Sequence, residues 1–341
     1  MKGFGSDNHS GVHPKLLQSI IEANIDHAPS YGSDVWSEKA QQSLAQLFGG
    51  KISTFFVFNG TAANVLSASA MVRPWNSIFC SDLSHLNVDE CGAPEFFAGC
   101  KLLPLPSKNG KISLESLKSS LIRRGDQHHS QPKAVSLTQP TEYGTVYTTE
   151  EIRAICDWAH SEGFYVHIDG ARIANAIVSL KTDFKTHLSE SGVDVLSFGG
   201  TKNGMLFGEA VVFLNPDLAK DFTFIRKQAA QLPSKTRFIA APFATYLENN
   251  LWHEIAQHSL RLAEKLEGLV GDIPGVQITQ PVQSNVVFAI IPQKWVKPLR
   301  EKYFFYVWDE KTFECRWMIS FDTTEQDVEG FAQALTVLSK G

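Results

Sequence analysis

Three short polar clusters in the chain bring together a carboxylate, a lysine and several glycines, each directly after an apolar run. They read Asn-Gly-Thr-Ala-Ala-Asn at residues 59–64, His-Ile-Asp-Gly-Ala-Arg at 167–172 and Gly-Gly-Thr-Lys-Asn-Gly at 199–204. Ligands of open α/β sheets bind beyond the carboxyl ends of the strands. If the apolar runs are strands of one sheet, the three clusters meet at one site.

Each cluster suits a different chemical task. Gly60 and Thr61 open a helix, where backbone N–H groups and the helix dipole favour a phosphate. Asp169 ends an apolar strand, and a buried carboxylate needs a cation, either Arg172 or a protonated heterocyclic nitrogen. Lys202 becomes a usable nucleophile if the site closes over it and lowers its pKa. The alternatives are a capped turn for the first cluster and an exposed loop lysine for the third.

The order of the clusters indicates a cofactor. Asp169 precedes Lys202 by 33 residues, the length of one further helix and strand. A phosphate cradle, a carboxylate and a lysine in this order are expected of an enzyme that uses pyridoxal 5'-phosphate (PLP). The lysine binds the cofactor covalently, the carboxylate keeps the ring nitrogen protonated, and the cradle holds the phosphate.

The elements that must position these clusters follow from the hydrophobic pattern. Near-continuous apolar strands that alternate with helices predict a buried, mostly parallel sheet in an α/β domain. The predicted strands are 54–58, 134–138, 164–168, 193–198 and 210–214. A helix is predicted from Ser37 to Phe48, where Gly49-Gly50 would end it, and another follows the capping box Thr148-x-x-Glu151.

The pattern changes after about residue 245. A long helix with Leu262, Leu266 and Leu269 on one face leads to strands near 276–279, 285–291 and 315–319, and a last helix starts at Thr324-x-x-Asp327. We therefore expect three parts: an N-terminal arm over 1–15 that contributes to the active site, a large PLP-binding α/β domain over 16–245, and a small α+β domain over 246–341.

Composition narrows the class of protein. The chain has 31 Lys+Arg against 36 Asp+Glu and a net charge of -5, which argues against nucleic acid or an anionic membrane as the main partner. No apolar run is long enough to cross a bilayer, and the first residues lack the apolar core of a signal peptide. The five cysteines form no C-x-x-C pair, so we expect free thiols in the cytoplasm and no metal site.

Together with Ser6-Asp7, Tyr31-Gly32 and Cys315-Arg316-Trp317-Met318, the three clusters resemble the low-specificity threonine aldolases, which are fold-type-I PLP enzymes of the β-eliminating-lyase group. The resemblance covers nearly the whole chain. It implies an aspartate aminotransferase-type fold and cleavage of L-threonine or L-allo-threonine to glycine and an aldehyde such as acetaldehyde. It also implies a cytoplasmic homotetramer with its active sites at subunit interfaces.

The resemblance assigns roles to the residues that match the family's motifs. Lys202 would form the Schiff base with PLP, and Asp169 would pair with the pyridinium nitrogen. His85 would stack on the ring and take part in proton transfer. Gly60 and Thr61 would hold the phosphate. The alternative for His85 is a surface histidine.

A second group of matching residues would bind the substrate. Ser6, Arg172 and Arg316 would hold its carboxylate, a task that suits the planar fork of arginine, and Tyr31 would line the substrate site. Arg172 would also contact the cofactor. The alternative for Arg316 is a surface strand residue.

One position departs from the family. Some members have Asn-Thr-His-Asn-Gly where this chain has Gln-Pro-Thr-Glu-Tyr-Gly at 139–144, so Glu142 stands at the position of the histidine. Glu142 is then either a catalytic base, since burial can raise a carboxylate's pKa for that work, or a structural residue. The basic clusters Arg226-Lys227 and Lys235-Thr236-Arg237 either reach the phosphate, within one chain or across an interface, or form a solvated face.

Fold and cofactor do not decide which bond at Cα breaks. Other PLP reactions therefore remain open: phenylserine cleavage, β-elimination, racemisation or transamination. A PLP-binding protein without turnover is the alternative from another class, although it has little need for two substrate arginines.

Overall fold

A computed structural model describes residues 3–341, which fold around two β-sheets. The larger sheet contains β1 (Ser53–Val57), β2 (Asn76–Ser81), β3 (Lys101–Leu105), β4 (Gln131–Thr138), β5 (Tyr165–Gly170), β6 (Val195–Gly199) and β7 (Glu209–Phe213). Their spatial order is β1-β7-β6-β5-β4-β2-β3. The predicted strands of this sheet are all present, with ends that differ by at most three residues, whereas β2 and β3 had no sequence prediction.

The larger sheet is parallel except at β7. The pairs β2–β3, β2–β4, β4–β5 and β5–β6 are parallel, whereas β7 is antiparallel to both β1 and β6. Because β7 runs opposite to both of its neighbours, β1 has the same direction as β6. All strands but β7 therefore end at one edge of the sheet, and this is the edge at which the three polar clusters lie. The predicted mostly parallel α/β fold is confirmed.

Helices cover this sheet and connect its strands. They are α1 (Pro14–Ala23), α2 (Val35–Phe48), α3 (Gly60–Met71), α4 (His85–Val88), α5 (Ala93–Ala98), α6 (Leu114–Ser119), α7 (Thr149–Ser161), α8 (Ile173–Leu180), α9 (Phe222–Gln228), α10 (Arg237–Leu247) and α11 (Leu251–Val270). Local signals set their ends. The side chain of Thr148 and that of Glu151 form the predicted capping box of α7, and α2 stops at Gly49, whose φ of 68° suits glycine.

The second sheet is small and antiparallel. It contains β8 (Gln277–Ile278), β9 (Val286–Ile290), β10 (Tyr306–Asp309) and β11 (Glu314–Met318) in the order β10-β11-β9-β8. Two more helices, α12 (Gln293–Lys302) and α13 (Glu325–Ser339), pack against it around Trp317 and Phe331. This is the α+β arrangement predicted for the C-terminal part. The boundary at residues 245 and 246 stays a prediction.

One detail of the predicted long helix is wrong. In α11, Leu262 and Leu266 are fully buried, but Leu269 is 41% exposed and Val270 is buried in its place. The buried stripe of α11 follows positions 262, 266 and 270, which are four residues apart, so Leu269 falls on its margin.

The N-terminal arm is more structured than the extended segment predicted for residues 1–15, of which 1 and 2 lie outside the described residues. Asp7–His9 form a 3₁₀ turn, and α1 already begins at Pro14. Phe4 is buried, its N–H donates to the carbonyl of Phe304 at 2.6 Å, and its carbonyl accepts from the N–H of Met318 at 2.8 Å. The arm therefore joins the small sheet to the edge of the large one. Among residues 3–341, no helix combines the length and the apolar character that a membrane crossing requires.

Candidate active site

A cavity of about 310 Å³ lies where the carboxyl edge of the large sheet meets the arm and the small sheet. From the large sheet and the helices after its strands come His85, Glu142, Asp169, Arg172 and Lys202. From the arm and the C-terminal part come Ser6, Asn285, Tyr306, Trp308 and Arg316. Seven of the residues predicted for the site therefore line one cavity, although they are spread over more than 300 positions of the sequence.

Close backbone packing places Lys202. A Cβ atom on Gly199 would lie 2.1 Å from the carbonyl oxygen of Ala171, so only glycine lets the end of β6 approach the loop after β5. The side-chain amide of Asn203 then donates to the carbonyls of Ala171 and Gly199, both at 3.0 Å. These contacts fix the loop of Lys202 against the loop of Asp169.

The surroundings of Lys202 favour its neutral, nucleophilic form. The positive charge of Arg172 and burial both lower the pKa of the Lys202 amine below its ordinary value. The carboxylates of Asp7, Asp169 and Glu209 act in the opposite direction without reversing the shift. A buried amine of lowered pKa is the form in which a lysine attacks a carbonyl.

Asp169 lies buried at the end of β5 with neutral partners. One carboxylate oxygen accepts from the side-chain amide of Asn64 at 2.8 Å, and the other accepts from the N–H of Ala171 at 3.1 Å. Between residues 3 and 341, Asp169 makes no salt bridge. Arg172, the protein cation considered for it, forms a bidentate pair with Asp7 instead, at 2.5 and 2.9 Å. A buried carboxylate without its own cation suits a protonated ring nitrogen.

The start of α3 offers the phosphate cradle. The side chain of Asn59 caps the helix by accepting from the N–H of Ala62 at 2.9 Å, and helix geometry leaves the N–H groups of Gly60 and Thr61 without intrahelical acceptors. A Cβ on Gly60 would meet nothing within 4 Å, so the space in front of these groups is open. Gly60 and Thr61 do not line the cavity itself. They follow β1 at the same sheet edge, and with Lys202 and Asp169 they form a donor set that fits PLP.

Glu142 faces the cavity from the loop after β4. Its Oε1 accepts from the hydroxyl of Thr138 at 2.8 Å and from the backbone N–H of His85 at 2.9 Å. Its Oε2 has no hydrogen-bond partner in the described part of the chain. Burial raises the pKa of Glu142 to about 7, within the range in which a carboxyl group exchanges protons at neutral pH.

His85 opens α4 and is held by a residue that the sequence analysis missed. Its Nδ1 lies 2.8 Å from Oε1 of Glu90, whose side chain is fully buried. The hydrogen bond to Glu90 raises the pKa of His85, although burial lowers it in part. Glu90 had no sequence signal, because it stands five residues from His85 in a non-periodic turn before Cys91-Gly92.

The opposite side of the cavity carries Arg316. Its guanidinium lies 4.9 Å from the ring centre of Trp308 and 5.5 Å from that of Tyr306, and one terminal nitrogen donates to the carbonyl of Gly5 at 3.2 Å. Burial lowers the pKa of Arg316 to about 10, which still leaves it charged at neutral pH. Ser6, next to Gly5, caps the 3₁₀ turn of the arm. Arg316 therefore lies in the wall of the cavity rather than on an outer strand surface.

The geometry agrees with comparisons to known proteins. The family model described as beta-eliminating lyase matches residues 3–292. The chain belongs to the beta-eliminating lyase family. It is 42% identical over 340 residues to a low specificity L-threonine aldolase of Pseudomonas aeruginosa, covering 98% of this chain and 97% of the relative. A second such enzyme, from a Pseudomonas species, is 41% identical, with 96% and 95% covered.

A solved structure supports the same assignment. The threonine aldolase of Leishmania major superposes with a TM-score of 0.94 at 28% identity, covering 99% of this chain and 100% of that one. Enzymes of this family use PLP, and the donor set formed by Lys202, Asp169, Gly60 and Thr61 fits that cofactor.

Tyr31 and the basic clusters of this beta-eliminating lyase lie away from the cavity of the single chain. Tyr31 is 51% exposed, with the amine of Lys227 5.6 Å from its ring centre. Arg226 is buried and donates to the carbonyl of Phe56 at 3.2 Å, so it does not belong to a solvated face. Arg237 donates to the carbonyl of Asp26 at 3.1 Å. The substrate-binding role of Tyr31 stays a prediction.

Proposed function

We propose that this protein is a PLP-dependent low-specificity aldolase that cleaves L-threonine and L-allo-threonine to glycine and acetaldehyde. The observation that carries the proposal is that one cavity is lined by a buried lysine of lowered pKa, a buried carboxylate without its own cation, and an arginine whose Nε has no partner in the described part of the chain. The relatives that are 41% and 42% identical over nearly the full length support it.

The chain's own residues divide the work of holding the cofactor. The amine of Lys202 would bind the aldehyde of PLP. Asp169 would pair with the ring nitrogen, and the N–H groups of Gly60 and Thr61 would bind the phosphate. When bound, PLP supplies a ring that accepts the electron pair of a bond broken at Cα.

The arginine opposite Lys202 would orient the substrate. Two nitrogens of Arg172 donate to Asp7, whereas Nε of Arg316 has no partner among the described residues. We therefore assign the substrate carboxylate chiefly to Arg316 and to the hydroxyl of Ser6, with Arg172 fixed beside them. A carboxylate held by a planar fork has a defined orientation, and that orientation decides which bond at Cα is broken.

Glu142 would act as the base that takes the proton of the β-hydroxyl group. Its unpaired Oε2 is the accepting atom, and Oε1 is fixed by His85 and Thr138. Burial raises the pKa of Glu142 to about 7, so its ionised and protonated forms interconvert near neutral pH. Removal of this proton lets the aldehyde leave as the Cα–Cβ bond breaks, and His85 lies beside the base as the second proton-exchanging group.

The assembly and location that we propose are a homotetramer in the cytoplasm. Within one chain, Leu17, Ile21, Ile25 and Tyr31 are exposed apolar side chains near the N-terminal helix. A second copy of the chain could cover these side chains. All five cysteines are free, as expected in a reducing compartment.

A product assay tests the proposed function. The purified protein is incubated with PLP and L-threonine, and glycine and acetaldehyde are measured together. We expect equal amounts of both, and activity with L-allo-threonine. Release of a 2-oxo acid and ammonia would show β-elimination, conversion to the D-isomer without cleavage would show racemisation, and no product at all would show a binding protein. Lys202→Ala should abolish cleavage, whereas Lys220→Ala, a change of an exposed lysine, should not.

A further inference from the structure

Two buried side chains connect Asp169 to His85 without touching the solvent-facing part of the cavity. The amide nitrogen of Asn64 donates to Asp169 at 2.8 Å and to Oε1 of Glu90 at 3.1 Å. The same oxygen of Glu90 lies 2.8 Å from Nδ1 of His85. Neither Asn64 nor Glu90 lines the cavity, and both are at most 3% exposed.

The neighbours of Asn64 determine its orientation. Both atoms that it contacts are carboxylate oxygens, which accept hydrogen bonds at neutral pH, so the amide nitrogen must face them. The amide oxygen then lies buried with no hydrogen-bond partner in the part of the chain that the structure describes. A buried oxygen without a hydrogen-bond partner destabilises the fold. In this orientation, however, the amide nitrogen of Asn64 donates to both carboxylates and so links Asp169 to Glu90.

The two carboxylate oxygens of Glu90 also differ in their hydrogen bonding. Its Oε1 serves both His85 and Asn64, and its Oε2 is buried without a partner between residues 3 and 341. A buried carboxylate needs a cationic neighbour. His85 is the one ionisable group in hydrogen-bonding contact with it within the described chain, and an Nδ1–H can donate to Glu90 whether the ring is neutral or charged.

We propose that Glu90 is a positioning residue of the aldolase site that keeps a proton on Nδ1 of His85 and leaves Nε2 to face the cavity, while Asn64 ties Glu90 to Asp169. The assignment follows from acceptor chemistry: a carboxylate cannot donate, so the Nδ1 that it contacts must carry the hydrogen. Nε2 is then the ring nitrogen that gives or takes a proton at the substrate. The same logic governs a carboxylate that orients a catalytic histidine in other enzymes.

The charged groups around His85 come from several elements. Glu90 follows its own helix, Asp169 ends β5, Lys202 follows β6, and Glu142 accepts from the backbone N–H of His85. Glu90 and Asp169 favour the protonated ring and Lys202 opposes it. Glu90 makes the direct hydrogen bond to the ring of His85. Its substitution should therefore change the pKa of His85 more than a substitution of Asp169, Lys202 or Glu142.

Nitrogen NMR of the holoenzyme labelled with ¹⁵N-histidine tests the proposal without a catalytic assay. His85→Asn identifies the His85 signals. In the wild type, we expect the neutral ring to carry its hydrogen on Nδ1. A neutral ring with its hydrogen on Nε2 would overturn the proposal, and this readout needs no variant of Glu90.

Substitutions of Glu90 give the second readout. In Glu90→Gln, the pKa of His85 should fall by about one unit, as expected on loss of a directly bonded charge. Glu90→Asp should restore at least part of the difference. The control Glu95→Gln changes an exposed glutamate five residues further along and should leave His85 unchanged. Equal His85 pKa values in Glu90→Gln and Glu95→Gln would overturn the proposal.

The role of Glu90 in catalysis rests on the proposed function and is tested by steady-state kinetics. For L-threonine cleavage, Glu90→Gln should lower kcat at least about tenfold, part of the effect of a general acid–base group, and change KM less than about twofold. A kcat equal to that of Glu95→Gln would refute a role in the reaction. If the wild type forms no glycine, the proposed function fails, whereas the NMR result on His85 stands or falls separately.

Discussion

The two walls of the cavity are built differently. The strand-end wall, formed by Lys202, Asp169 and Glu142, follows adjacent strands of one hydrogen-bonded sheet. The arm wall, formed by Ser6 and Arg316 with their neighbours, joins the N-terminal arm to the small sheet. In the strand-end wall, the pKa values of Lys202 and Glu142 are shifted toward reactivity, whereas the arm wall carries the charge of Arg316 between aromatic rings.

The difference separates chemistry from recognition. Groups that transfer protons must keep their positions, and a continuous sheet holds them. The arm wall is held by a few long-range contacts, which include the buried bidentate pair between Asp7 and Arg172. Asn285 supports that pair by donating to Asp7 at 3.3 Å and to the carbonyl of Ile319 at 2.7 Å. Damage to the strand-end wall should therefore reduce kcat, and damage to the arm wall should reduce substrate binding.

The largest effect is expected in the strand-end wall at Glu142. Glu142→Gln should lower kcat by about 10²- to 10⁴-fold, the usual contribution of a general base. In the wild type, kcat should rise with pH through about 7, because the base works only when ionised, and this limb should disappear in the variant. The measurement is a pH profile of glycine formation, with the exposed Glu264→Gln as control. A variant with unchanged kcat would contradict the assignment of Glu142 as the base.

The arm wall should respond differently when its buried ion pair is broken. Asp7→Asn leaves Arg172 without its bidentate partner, so the free energy of unfolding should fall by about 3 kcal/mol. The KM for L-threonine should rise about tenfold, with a smaller effect on kcat, as expected for lost substrate positioning. Urea denaturation and steady-state kinetics measure the two effects. The exposed Asp217→Asn should leave both unchanged, and a loss confined to kcat would mean that the two walls do not divide the work in this way.

A smaller change in the arm wall sharpens the comparison. Arg316→Lys keeps the positive charge but removes the planar fork and its stacking on Trp308, so kcat/KM should fall about tenfold. The matched control is Arg300→Lys, a change at the exposed face of α12. If lysine serves as well as arginine, the site needs charge alone and not bidentate geometry.

The smallest effect concerns His167, which lies beneath the strand-end wall on β5. His167 is buried on β5, with Ser136 at 2.9 Å from one ring nitrogen and Ser197 at 2.9 Å from the other. Burial lowers the pKa of His167 to about 4, so the folded protein keeps the ring neutral while the unfolded chain protonates it below about 6.5. The stabilisation is present above pH 6.5 and is lost as the pH falls toward 4. Between pH 7 and 5 it should decrease by about 2 kcal/mol.

Urea denaturation at the two pH values measures this loss. His167→Gln should make the free energy of unfolding less dependent on pH, whereas His128→Gln, in an exposed loop, should not alter the dependence. An unchanged pH dependence in His167→Gln would show that the pKa of His167 is the same in the folded protein and in the unfolded chain.

Lys202 and Asp169 of the strand-end wall could be predicted from the sequence because each stands in a short motif directly after an apolar strand, whereas Glu142 was found through its departure from the family's motif. The arm wall could be predicted from the sequence only in part. Arg316 and Ser6 were found through the family resemblance, but the partner of Arg172 was not, because Asp7 lies 165 positions away and pairing over that distance has no local pattern. Glu90 and Asn64 act through contacts of the folded chain, which composition and periodicity do not encode.

Two of the strands that sequence reasoning missed, β3 and β10, lie at sheet edges. β3 contains Pro104, which cannot donate to a central ladder, but β3 is an edge strand, where proline is tolerated. β10 is also an edge strand and is nowhere fully buried.

Borohydride reduction of the protein with bound PLP, followed by peptide mapping, tests the central claim most directly. The account predicts that the cofactor becomes attached to Lys202 in the peptide that spans Thr201–Asn203, and that Lys202→Ala shows no attachment. Stable attachment to another lysine, or none in the wild type at saturating PLP, would contradict the assignment of this cavity as the PLP site.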